Sequence, residues 1–68
     1  MMEAEVKVIE FLDEYYFLYE NKYADGQPYY GIGARFKSGV WFPLESFKYY
    51  RDKEKCKNDF IKYKERRK

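Results

Sequence analysis

Two glycine-bearing turn signals, Asp25-Gly26 and Lys37-Ser38-Gly39, divide the middle of this chain into segments too short for helices and suited to hairpins. Asp-Gly favours a type I′ turn, whose two central residues need positive φ, and predicts closure over residues 24–27. Lys37-Ser38-Gly39 predicts a three-residue loop with glycine in the left-handed position. The segment between the turns, about 28–37, is then a strand, and Val40-Trp41-Phe42 is a short one. Pro43 follows and offers the ladder no donor. Residues 43–50 read as a helical turn or an irregular crossover. Asp52 reads as the N-cap of a helix over about 53–66, with Cys56, Phe60 and Tyr63 on one stripe and Ile61 beside it.

The first twenty-odd residues are ambiguous. Val8, Phe11, Leu12, Tyr15, Leu18 and Tyr19 recur at helical spacing, so one helix over residues 3–20 is the alternative. The residues themselves are β-branched and aromatic, poor helix formers and good strand formers. Two strands are therefore expected, about 5–12 and 15–23, turning at Asp13-Glu14. The expected fold class is α+β: a small antiparallel β-meander of about four strands with a C-terminal α-helix packed on one face, all in one small domain spanning residues 1–68.

At 68 residues the chain can bury only about 60% of its unfolded surface. One cysteine and no histidine exclude an internal disulfide and any ordinary zinc site. They also remove the usual general base and the imidazole partner of a nucleophilic thiol, so no enzyme is expected. No cofactor and no metal are expected either. Cys56 is expected to be a small core residue. No apolar run of about 18 residues and no signal peptide are visible, which predicts a soluble cytoplasmic protein without a membrane partner.

Loop lengths set register, and register sets faces. Closure over 37–39 places Arg35 opposite Trp41 and Ala34 opposite Phe42. Closure over 24–27 places Tyr19 opposite Ile32, Phe17 opposite Ala34 and Tyr16 opposite Arg35. A two-residue turn at Asp13-Glu14 places Phe11 opposite Tyr16 and Lys7 opposite Glu20. One face then holds Val8, Leu12, Tyr15, Phe17 and Tyr19 with Ile32, Ala34, Phe36, Val40 and Phe42. This face is expected to take the helix, giving a core of Phe17, Tyr19, Ile32, Phe36, Phe42, Phe60 and Ile61. The other face carries Ile9, Phe11, Tyr16, Leu18, Arg35 and Trp41, interrupted by Gly31 and Gly33. In YYGIGARF the glycine pair lacks a third glycine and a following helix, so it is a poor dinucleotide fingerprint. On a strand it makes room for a neighbouring ring or an approaching ligand.

Aromatic residues make up 24% of the chain, more than so thin a core can hide. Charge is polarised: residues 1–20 hold six acids against Lys7, whereas residues 51–68 hold nine bases against four acids. Together these features predict a binding module. Phe11, Tyr16 and Trp41 would stack nucleobases of a single strand, while Arg35, Lys37, Lys64, Arg66 and Arg67 would hold phosphates. The alternative is a protein-interaction module, a small inhibitor or adaptor of a larger complex, using the same aromatic face. A two-sided apolar sheet also predicts a homodimer or a docked partner.

Overall fold

The computed structural model describes residues 6–66. Among them the chain forms one antiparallel sheet in the order β1-β2-β3-β4: β1 (Lys7–Phe11), β2 (Tyr16–Lys22), β3 (Pro28–Arg35) and β4 (Trp41–Pro43). A single 3-10 turn, Glu45–Phe47, precedes the C-terminal helix α1 (Lys53–Arg66). The N-terminal segment is thus a hairpin, because its β-branched and aromatic residues cover a sheet better than a helix. Asp52 caps α1 as expected: its Oδ1 accepts from the amides of Glu54 and Lys55, at 3.0 and 3.3 Å.

All three hairpin loops have three residues. Gly26 and Gly39, at φ 92° and 96°, occupy the left-handed position of the second and third loops. Tyr23 N–H donates to the Gln27 carbonyl and Phe36 N–H to that of Val40. The Asp25-Gly26 turn is therefore not type I′: Asp25 stays at negative φ and only the glycine crosses over. The first loop closes between Leu12 and Tyr16, with the Asp13 carboxylate accepting from the amides of Tyr15 and Tyr16.

Shorter closure at the second loop moves the register by one residue. Tyr16 faces Ala34, Phe17 faces Gly33, Leu18 faces Ile32 and Tyr19 faces Gly31. The expected pairs Tyr19–Ile32, Phe17–Ala34 and Tyr16–Arg35 are corrected accordingly. Between β3 and β4 the expected register holds, with Arg35 opposite Trp41 and Ala34 opposite Phe42. Between β1 and β2, Lys7 pairs with Glu20 as expected, but a bulge between Val8 and Glu10 puts Phe11 opposite Phe17 rather than Tyr16.

The core lies between the sheet and α1. Leu18, Ile32, Phe47, Cys56 and Phe60 are its buried residues, with Ile9, Leu12, Tyr16 and Tyr30 packed around them. Leu18 and Tyr16 thus belong to the helix side, the opposite of their expected placement. Two ion pairs strap α1 down: Lys57 to Glu10 of β1 at 2.9 Å, and Lys64 to Asp13 of the first loop. This path leaves the β3–β4 end of the helix-side face uncovered. Phe36 and Phe42, expected in the core, are 54% and 44% exposed there and contact each other. Ile61, also expected inside, is 41% exposed beside the buried stripe of Cys56 and Phe60.

Candidate functional site

With α1 on one side, the other face of the sheet has no element over it among the described residues. The register assigns to it Val8 and Phe11 of β1, Phe17, Tyr19 and Asn21 of β2, and Tyr29, Gly31, Gly33 and Arg35 of β3. Trp41 and Pro43 of β4 complete it. Phe17 and Tyr19 are each only 4% exposed although no helix covers them. Their rings lie down over the glycines across the strand. A Cβ at Gly33 would stand 2.6 Å from Phe17 Cζ and 2.9 Å from the Trp41 ring, and one at Gly31 would stand 2.5 Å from Tyr19 Oη. The two glycines therefore make room for rings of this same chain.

Trp41 is half-buried at the edge of that layer, with its ring centre 5.3 Å from Phe17 and 5.5 Å from Tyr19. Beside it opens a groove of about 650 Å³, floored by Tyr19 and Asn21 and walled by Trp41 on one side and Tyr29 and Tyr49 on the other. Lys48 stands at its rim, 3.3 Å from Glu45 and 5.7 Å above the Tyr49 ring. Tyr49 adopts a positive φ of 63°, a strained conformation for an aromatic residue. Its neighbour holds it there: Tyr50 exchanges two backbone hydrogen bonds with Tyr30 on the free edge of β3, at 2.8 and 2.9 Å. The Tyr49 ring meets those of Tyr23 and Tyr29, 6.1 and 5.1 Å away.

The electrostatics of this face follow from the register. The acids of the strands, Glu10 and Glu20, sit on the helix side, so no acid occupies a strand position of the open face among the described residues. Its strand cation is Arg35, whose guanidinium lies 4.9 Å from the Phe11 ring centre rather than over Trp41. Burial first, and then the neighbouring Tyr29, push the Tyr19 phenol up to about 12, so it keeps its proton.

The structure divides the residues expected to act together. Phe11, Arg35 and Trp41 share the open face; Phe11 returns to it because the bulge in β1 offsets the register change in β2. Lys37 is in the third loop, beside Arg35 and Glu14 at a hollow of about 300 Å³. Tyr16 is on the helix side, with its ring centre 5.1 Å from that of Phe60. Lys64 is there too, paired with Asp13 and 5.8 Å above the Tyr16 ring. Arg66 ends α1 in that same layer, and Arg67 lies outside the described residues. Tyr19, Asn21, Tyr29, Lys48 and Tyr49 enter the groove without having been picked from the sequence. The length of the second loop was the missing signal for Tyr19 and Asn21.

Among the described residues no group of three or more His, Cys, Asp or Glu is placed to hold a metal ion, and no helix is long and apolar enough to cross a membrane. Comparison with known proteins found no match to the chain: no family model, no curated protein and no solved structure.

Proposed function

We propose that this chain is a small binding module, without catalysis of its own, that takes single-stranded nucleic acid on the open face of its sheet. The observation that carries the reading is the groove: aromatic walls of Trp41, Tyr29 and Tyr49 stand on a face whose strands bear a cation and no acid. Every nucleobase has a π-face, so such walls accept bases by stacking whatever the sequence. Lys48 stands at the groove rim, and Arg35, across the ladder from Trp41 on the same face, is placed to meet a backbone that runs on past the indole.

Trp41 reports on its own site. Adding a short oligonucleotide is expected to quench its fluorescence, and Trp41→Ala should weaken binding by about 1–3 kcal/mol. Because the indole is only half-buried, the same change should lower stability by about 2 kcal/mol, below the 3–5 kcal/mol typical of a fully buried ring. Unchanged fluorescence at saturating oligonucleotide would overturn the reading. A protein partner would then be the better occupant, since Val8, Phe11 and Val40 are 44%, 55% and 60% exposed near the groove.

A further inference from the structure

Beyond the groove, where β2 begins and β3 ends, the hollow of about 300 Å³ is lined by Glu14, Tyr15, Arg35, Phe36, Lys37 and Gly39. Gly39 also lines the groove, so the two spaces adjoin across one residue. That residue forms an open saddle. No atom of the described residues, its own chain neighbours aside, lies within 4 Å of where a side chain at Gly39 would begin. The backbone around the hollow is fixed: Arg35 N–H donates to the Tyr15 carbonyl at 2.8 Å, and Gly39 N–H to that of Phe36 at 3.0 Å.

The hollow also holds charge that the fold leaves uncommitted. Lys48, Lys55, Lys57 and Lys64 are each paired with an acid. Arg35 and Lys37 are in no ion pair among the described residues, and Glu14, which shares the hollow, pairs with neither. Arg35 lies over the Phe11 ring, a contact that engages its charge and leaves its side-chain N–H groups without a hydrogen bond among the described residues. A guanidinium fork matches the paired oxygens of a phosphate, and a lysine adds a point charge to the same anion. Two cations against one carboxylate leave the hollow net positive.

We infer that this hollow is a subsite for one backbone phosphate, next to the base stacked in the groove and held jointly by Arg35 and Lys37. The inference rests on the single-strand reading above and gives the strand a path. The base lies against Trp41, the backbone crosses Gly39, and the phosphate sits between the two cations. Glu14 opposes the anion and weakens the site. Contacts of this kind fix the register of a strand without reading its sequence.

The test titrates the full chain with a short oligothymidylate and with a methylphosphonate oligomer of the same bases, whose linkages carry no charge. Each is end-labelled and followed by fluorescence anisotropy. At low salt Lys37→Gln should weaken the charged strand about threefold and leave the uncharged one within about twofold. Glu14→Gln should act in the opposite direction and tighten the charged strand. Arg35→Gln combined with Lys37→Gln should lower the slope of log K against log salt by about 0.7, the value for one phosphate on a single strand. All three side chains are exposed, so these changes leave the core intact. A slope change of about 1.4 would mean two separate phosphates and overturn the shared site. A loss from Lys62→Gln on α1 as large as that from Lys37→Gln would overturn it as well, since general charge would then suffice. Equal losses on the charged and uncharged strands, or none on either, would overturn the phosphate subsite and leave the single-strand reading standing. Failure of the unaltered protein to bind the charged strand would overturn both.

Discussion

Gly31 and Gly33 show how one missing side chain can decide the packing of a whole face. At each position the ring from β2 occupies the volume that a Cβ would need, so Phe17 and Tyr19 lie flat and are buried without a helix above them. The two sites differ in what could yield. The atoms nearest to a methyl at Gly33 all belong to the side chains of Phe17 and Trp41, which can shift more readily than backbone. A methyl at Gly31 would also meet the Phe47 backbone carbonyl oxygen at 2.7 Å, and that carbonyl is fixed by the bridge that follows it. Gly31→Ala is therefore expected to cost about 1–3 kcal/mol in urea unfolding, and more than Gly33→Ala. An equal or smaller loss at Gly31 would mean that the segment after the 3-10 turn is not held against β3. The side to which the glycines point was legible in YYGIGARF, because β3 and β4 pair as their loop implies. The rings that use the space were not, since that depends on the neighbouring register.

At the scale of elements, the strands and the helix could be placed from residue type alone, while the faces of β1 and β2 could not. Alternation, turn residues and the Asp52 cap locate each element to within a few residues. Faces depend on loop closure, and Asp25-Gly26 is compatible with several closures that differ by one residue. The bulge in β1 is invisible for a similar reason: it lets both Ile9 and Glu10 reach the helix side, a tertiary demand with no local signature. Asp13 ties these elements together. It closes the first loop through the Tyr15 and Tyr16 amides, at 2.8 and 3.0 Å, and anchors α1 through Lys64. Burial alone would raise its pKa, but the bond from Lys64 and the two amides together bring it below the ordinary value of 3.8. A carboxylate depressed on folding contributes stability that is complete above its unfolded pKa and is lost as pH falls through its folded pKa. Urea midpoints should therefore fall as pH drops below about 4, and Asp13→Asn should flatten that part of the profile. A profile unchanged by Asp13→Asn would show that the loop and the helix do not depend on the ionised form.

The whole molecule is two layers, and the layers separate charge from aromatic surface. The cations of α1 lie over the helix side of the sheet, two of them committed to Glu10 and Asp13, whereas the groove opens on the opposite side. Packed layers stand about 10 Å apart, beyond a Debye length of about 8 Å at physiological salt. A single strand confined to the groove would then meet Arg35 and Lys48 rather than α1. Neutralising two phosphates on a single strand gives a slope of log K against log salt of about −0.7 per contact, hence between −1 and −2, roughly. Binding should accordingly survive moderate salt, with stacking supplying most of the affinity. Lys62→Glu and Arg66→Glu, both at exposed positions of α1, should leave affinity within about twofold at 0.15 M salt, roughly physiological. Arg35→Glu on the open face should reduce it severalfold and lower the slope by about 0.7. A measured slope of about −4 or steeper, with losses from the helix variants, would place α1 in the interface and require the strand to wrap around the edge of the sheet.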